Sequence, residues 1–169
     1  MKVVGKQSNS KMCFVCGMDN PIGMRAQFYN MEDGSVVTPC RFSELNQSFP
    51  GRVHGGLIAS VLDELGLRAL WAGGDESVFG VTMSIEVKYR KPVPYDTDLF
   101  GCGKVVRETG KFVVTRAGIF DTEGNLLAEA DIRYIKLDPM VIAPDADSHE
   151  EMAYLIEDGV TELPFCGKL

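Results

Sequence analysis

Between Leu57 and Ala69 the chain carries a single apolar stripe of helical period, with Leu57, Ile58, Val61, Leu62, Leu65 and Ala69 recurring at i, i+3, i+4, i+7 and i+8 spacing. The strongly patterned stretches on either side of it have strand character instead. A lone helix with one apolar face must be covered, and here only strands are available to cover it. The expectation is therefore an α+β chain in which one long helix, from Gly56 to near Gly73-Gly74, is wrapped by a curved antiparallel sheet.

The strands follow from period-2 alternation and turn chemistry. Residues 81–89 alternate strictly, with Val81, Met83, Ile85, Val87 and Tyr89 apolar and Thr82, Ser84, Glu86 and Lys88 polar, which predicts a half-buried strand ended by Pro92 and Pro94. Three more strands are expected at about 98–107, 112–120 and 126–135, joined by Glu108-Thr109-Gly110-Lys111 and Asp121-Thr122-Glu123-Gly124-Asn125. Upstream of the helix, residues 24–31 and 35–42 form a hairpin across Glu32-Asp33-Gly34. The order is two strands, one helix, then a four-stranded meander. After Lys136 the composition turns rich in Pro and Asp. An appended short helix follows, with Ser148 and Glu151 at capping-box spacing and Gly159 at its end. This divides the chain into a domain over residues 1–137 and an appendage over 138–169.

Composition narrows the class of partner. The 169 residues suit one domain, and no apolar run is long enough to span a bilayer, so no membrane insertion is expected. A net charge of −7 disfavours nucleic acid or an anionic membrane as the main partner, since both reward a basic surface. The first eleven residues have no hydrophobic signal core, which points to the cytoplasm. Five cysteines are an odd number and argue for reduced thiols. Cys13-Phe14-Val15-Cys16-Gly17 forms a Cys-x-x-Cys knuckle. Zinc needs about four ligands, and no histidine or second cysteine pair stands at the required spacing, so no metal is expected. No strand-then-helix pattern of a thioredoxin-like site surrounds the pair, which leaves a tight turn with partly buried thiols as the simpler reading.

Chemistry is legible at the helix start, Phe49-Pro50-Gly51-Arg52-Val53-His54-Gly55-Gly56. Two glycines at a helix N-terminus leave amides without intrahelical partners and open to a negatively charged oxygen. Two acids lie on the helix. Glu64 has Arg68 one turn later and pairs with it at i,i+4. Asp63 points away from the apolar stripe among Ala59, Ser60, Gly66 and Leu67, without an opposite charge on its own helix. It is expected to face a close-packed second surface such as a subunit contact.

The helix-start motif, Asp63 nine residues after His54, and Tyr89-Arg90-Lys91-Pro92-Val93 ending a strand together resemble the PaaI-like group of hotdog-fold acyl-CoA thioesterases, in the 4-hydroxybenzoyl-CoA thioesterase clan. The Cys13–Gly17 opening is similar to relatives that begin this way. The resemblance covers about residues 13–137. It implies a hotdog fold and hydrolysis of an acyl-CoA thioester without metal or other cofactor, in a homodimer or dimer of dimers. It further implies that the Gly55 amide polarises the thioester carbonyl while Asp63 of the neighbouring subunit serves as general base or nucleophile. His54 orients the loop or caps the helix. Thr82 matches a hydroxyl that helps place the attacking water, or is an ordinary polar-face threonine. Gly56 and Tyr89 are implied on the substrate side. Arg107, Gly110 and Lys111 lie in the hairpin that relatives use toward the CoA phosphates, within a basic cluster of Lys88, Arg90, Lys91, Lys104, Arg107, Lys111 and Arg116. Two other functions suit the same outline. One is a non-catalytic acyl-CoA-binding domain, and the other is an enoyl-thioester hydratase or dehydratase using His54 with Asp63.

Overall fold

The computed structural model describes residues 1–145, 154–165 and 167–169. Seven strands form one sheet, β1 (Val3–Lys6), β2 (Tyr29–Met31), β3 (Val36–Cys40), β4 (Phe79–Tyr89), β5 (Leu99–Thr109), β6 (Phe112–Asp121) and β7 (Leu126–Leu137). Their order across the sheet is β1-β2-β3-β5-β6-β7-β4, and every pairing is antiparallel. The long helix α1 (Gly55–Arg68) lies in the curve of this sheet, and a short α2 (Pro139–Ile142) follows β7.

Helix α1 buries Ile58, Val61, Leu62 and Leu65, four members of the stripe read from the sequence. It ends five residues before the expected Gly73, and Ala69–Trp71 continues as a single 3-10 turn. Its packing on the sheet is close enough to require glycine on both surfaces. A Cβ on Gly103 of β5 would stand 2.4 Å from the Leu65 carbonyl oxygen, and one on Gly66 would stand 2.5 Å from the Tyr134 hydroxyl of β7. Main chain thus replaces side chain at the contact, and the helix axis sits near the sheet.

The structure departs from the sequence expectations in four places. Strand β1 is additional; its four residues pair with β2 across a bulge and carry too short a pattern to stand out locally. Of residues 24–31 only Tyr29–Met31 are in a strand, because Arg25 adopts a left-handed φ of 53° and Asn9 donates a side-chain bond to the Ala26 carbonyl. Ser148 and Glu151, the expected cap of the last helix, lie outside the described residues, and residues 155–159 are not helical. Instead Leu163 and Phe165 are buried against Phe100 and Phe120, on the sheet face opposite α1.

The fourth departure concerns β4. Among the described residues it pairs only with β7 and ends the sheet, and they leave its alternating apolar residues unburied. Val81 and Ile85 are each 38% exposed and Met83 is 57% exposed. A β-bulge between Thr82 and Ser84 also shifts the alternation. Thr82 opposes Tyr134 and Ile85 opposes Ile132, so Thr82 shares the helix-facing side with Ile85, Val87 and Tyr89.

Candidate active site

The loop before α1 is fixed by main-chain bonds, from the Val53 N–H to the Val93 carbonyl at 2.9 Å and from the His54 N–H to the Asn46 carbonyl at 2.8 Å. His54 is the N-cap. Its Nδ1 accepts from the Gly56 N–H at 3.0 Å, which leaves Nε2 to carry the proton of the neutral ring. The Gly55 N–H has no acceptor among the described residues. On the other side of Gly55, the Tyr89 hydroxyl donates to its carbonyl at 2.8 Å, and the Tyr89 ring lies where a Cβ on Gly55 would meet it. Gly55, Ile58, Tyr89, Lys91 and Pro92 line a cleft of about 410 Å³. A free amide at the positive end of a 14-residue helix, beside an apolar cleft, suits an oxygen that acquires negative charge.

Asp63 sits two turns further along the helix. Its Oδ1 accepts from the Thr82 hydroxyl at 2.9 Å and from the Tyr134 hydroxyl at 3.1 Å, and Tyr134 also donates to the Asp63 main-chain carbonyl at 2.6 Å. The second surface expected beside Asp63 therefore includes the chain's own sheet, because β4 and β7 curl around the flank of the helix. Burial raises the Asp63 pKa above the ordinary carboxylate value, and the two hydroxyl donors, which favour the charged form, offset only part of that. A desolvated carboxylate with an elevated pKa and directed donors is suited to accept a proton from a neighbouring group. Glu64 is spent on structure instead: its Oε1 accepts from Arg68 Nε at 2.8 Å, the i,i+4 pair read from the sequence, with the Arg68 side chain 1% exposed.

The structure brings His54, Gly55, Gly56 and Tyr89 together at one end of α1, and Asp63, Thr82 and Tyr134 at the other. It does not join the two groups within one chain. Gly55 and Asp63 are eight residues apart on one helix, which is about 12 Å along the axis. Arg107, Gly110 and Lys111 surround the exposed β5–β6 turn, where Val113 opposes Tyr134 in the sheet, at the Asp63 end. Within the basic cluster, Lys88, Arg90, Lys104 and Arg116 are paired with Glu86, Glu129, Asp33 and Asp131. Lys91, Arg107 and Lys111 have no ion-pair partner among the described residues. Tyr134 is the site residue that the sequence reading missed. It lies 71 residues from Asp63, in a strand whose pattern gives it only a core position.

Residues 50–128 match the family model described as Thioesterase superfamily. Among curated proteins the chain is similar to acyl-coenzyme A thioesterase THEM4 of Rattus norvegicus, 26% identical over 79% of this chain and 57% of that protein. It is also similar to the Mus musculus protein of the same name, 28% identical over the same shares. The chain thus spans little more than half the length of the curated relatives it matches. Among solved structures, a thioesterase superfamily protein is 26% identical with a TM-score of 0.69, covering 74% of this chain and 63% of that one. A hypothetical thioesterase from Streptococcus pneumoniae TIGR4, crystallised with coenzyme A, has the same fold at 21% identity and a TM-score of 0.60, covering 67% of this chain and 86% of that one.

Proposed function

We propose that this chain, which carries a thioesterase-superfamily domain with the hotdog fold, hydrolyses an acyl-coenzyme A thioester to a free acid and CoA at sites shared between two copies. The observation that carries the proposal is Asp63, a partly buried carboxylate held by Thr82 and Tyr134 but lying about 12 Å along the helix from the free Gly55 amide. One chain holds both halves of a hydrolytic site without joining them. A two-fold axis at the free edge of β4 joins them. Such an axis pairs two copies of β4 antiparallel, so the Tyr89 and Gly55 end of one strand lies beside the Thr82 and Asp63 end of the other. It also covers Val81, Met83 and Ile85, and it satisfies the open backbone of an 11-residue edge strand.

In the shared site the acyl group occupies the cleft beside Tyr89, with its carbonyl oxygen toward the Gly55 N–H. Asp63 of the second copy takes a proton from water as the water oxygen attacks the carbonyl carbon; in the nucleophilic alternative the carboxylate itself attacks that carbon, CoA thiolate leaves and takes a proton from solvent, and water then hydrolyses the acyl-Asp63 anhydride to the free acid and the carboxylate. Charge that develops on the oxygen is stabilised by the amide and the helix dipole, an arrangement whose removal typically costs about 2.7–4 kcal/mol of barrier. Collapse of the tetrahedral adduct breaks the C–S bond, and the CoA sulfur leaves with the proton. Thr82 and Tyr134 orient the carboxylate. Arg107 and Lys111, without an ion-pair partner among the described residues, suit the CoA phosphates, with Gly110 supplying the turn at a φ of 58°. The reading belongs to the PaaI-like branch, draws on no cofactor, assigns the chemistry to residues 1–137 and suits the cytoplasm. A hydratase pairing of His54 with Asp63 is less well supported, because His54 Nδ1 is occupied by the cap.

The test is thiol release from a panel of short, medium, long and aromatic acyl-CoAs, followed by subunit complementation. Gly55→Pro removes the amide hydrogen at the first helical position and presses its ring on Tyr89, so it disables the Gly55 half of the site, and Asp63→Asn removes the base. Each variant alone is expected to be inactive. Co-assembled at equal amounts, they recover about a quarter of wild-type turnover, since half the dimers are mixed and each mixed dimer has one intact site. Mixed dimers without activity would refute the shared site. A wild type that binds acyl-CoA and releases no thiol from any panel member would refute hydrolysis.

A further inference from the structure

Outside the proposed active site, the densest cluster of reactive groups among the described residues is the Cys13–Cys16 knuckle beside α1. The sulfurs of Cys13 and Cys16 and a carboxylate oxygen of Glu64 all lie within 4.8 Å of one another. The knuckle is a closed turn: the Gly17 N–H donates to the Cys13 carbonyl at 2.8 Å, and a Cβ on Gly17 would come within 2.4 Å of that oxygen. The two thiols occupy unequal positions. Cys13 is half-buried, receives the Val15 N–H on its sulfur at 3.4 Å and reaches Glu64 at 3.7 Å. Cys16 is 1% exposed, with the Ser10 hydroxyl 3.3 Å from its sulfur. Glu64 is held in turn by Arg68, whose guanidinium is clamped between the rings of Phe28 and Trp71 at 4.7 and 4.6 Å.

Three donors with a buried guanidinium at their side are poorly suited to a divalent cation, which that positive charge repels. They suit a thiolate. The neighbouring Cys16 thiol and main-chain N–H groups lower the Cys13 thiol to about 7, against burial and the Glu64 carboxylate, which act the other way, while Cys16 is pushed far up by its place beside Cys13 and by burial. One accessible thiolate beside one protonated, buried thiol is the asymmetry that separates an attacking cysteine from a resolving one.

We propose that Cys13 and Cys16 are a redox-active pair that a hydroperoxide converts to an intramolecular disulfide, with Cys13 as attacking and Cys16 as resolving sulfur. The Cys13 thiolate attacks the outer peroxide oxygen. The O–O bond breaks, the alcohol or water leaves with a proton, and Cys13 becomes a sulfenic acid. The Cys16 sulfur then attacks the Cys13 sulfur. The S–O bond breaks, hydroxide leaves and takes the Cys16 proton as water, and two thiols have been oxidised by one two-electron oxidant. Rotation about the two Cα–Cβ bonds brings sulfurs already within 4.8 Å to the bond length of about 2.05 Å. The disulfide draws toward Cys16 the Cys13 sulfur that stands 3.7 Å from Glu64, the immediate neighbour of Asp63, so the oxidation state is registered on α1 itself.

The experiment uses the full chain. The native protein is treated with hydrogen peroxide, unfolded, alkylated with N-ethylmaleimide, digested with trypsin and analysed by mass spectrometry. Two tags are expected to be lost from the peptide spanning residues 12–25 and restored by dithiothreitol, while Cys40 and Cys102, whose burial pushes their thiols up to about 12, keep theirs. In Cys16→Ser the reaction stops at a Cys13 sulfenic acid that dimedone traps. Without peroxide, Cys13 is alkylated at least about tenfold faster than Cys16 at pH 7. Retention of both tags on that peptide after peroxide treatment overturns the proposal, as does one zinc per chain in the purified protein.

Discussion

Asp63 and Glu64 are adjacent carboxylates on α1, and their amide variants are expected to fail in opposite assays. Glu64 neutralises Arg68, whose side chain is 1% exposed and also donates to the Ser8 carbonyl at 2.6 Å. Removing one partner of a buried pair costs about 3–5 kcal/mol. Glutamine still accepts from Arg68 Nε, and the Glu64 side chain retains 13% exposure, so the lower end, about 3 kcal/mol, applies to Glu64→Gln. In a chain of this size that lowers the Tm by about 6–12 °C. Asp63 has the opposite sign. Its folded pKa is raised by desolvation, so the fold favours the protonated form. That contribution is present below the unfolded value of about 3.9 and is lost as pH rises through the folded value, leaving the ionised group unfavourable at pH 7. Asp63→Asn is therefore expected to hold or raise the Tm at pH 7 while abolishing thiol release, and Glu64→Gln to lower the Tm while releasing thiol at temperatures where it is folded. Thermal melts by circular dichroism and thiol release on the same preparations decide the matter. A Glu64→Gln melt within about 3 °C of wild type would refute the buried-pair reasoning, and an Asp63→Asn variant that is active or clearly destabilised would refute the assignment of the base.

Tyr134→Phe removes a donor that favours ionised Asp63, so the acid limb of kcat/KM against pH is expected to move to higher pH; an unchanged profile means that the hydroxyl serves only the helix backbone. Gly66→Ala would ordinarily favour a helix by about 1 kcal/mol, but its Cβ meets Tyr134, Ile132 and Thr115 at 2.5–2.7 Å. A net loss of about 1–3 kcal/mol is expected, read as a lower urea midpoint at constant slope, and a higher midpoint contradicts the close packing of helix on sheet. Met83→Lys places a charge on the bare edge of β4 and is expected to halve the mass measured by light scattering and abolish thiol release. A dimer that survives this change assembles through another surface.

The elements with long, regular patterns were legible in the sequence. The α1 stripe and the strands at 98–107, 112–120 and 126–135 agree with α1, β5, β6 and β7 to within two residues at most boundaries, because each buries one continuous face and so must repeat at its own period. At the site, the His54 cap, the free Gly55 amide and the Glu64–Arg68 pair were also legible, since each depends on neighbours within about one helical turn. Thr82 was misread. Strict alternation assigns it to the outer face, and the bulge that turns it toward Asp63 has no signature in residues 81–89.

What the sequence by itself determined was the local physics: a lone helix with an amide-rich start, strands enough to cover it, and one acid without a partner on its own helix. What only the tertiary structure decided was which distant groups meet. Tyr134 reaches Asp63 across 71 residues, the residues ending in Leu163 and Phe165 cover the outer sheet face, and β4 is left as an edge with its apolar residues bare. These outcomes depend on strand order and on how tightly the sheet curls around the helix. Both are set by backbone contacts such as Gly103 against Leu65, which act between segments far apart in the chain and leave no periodic trace in either.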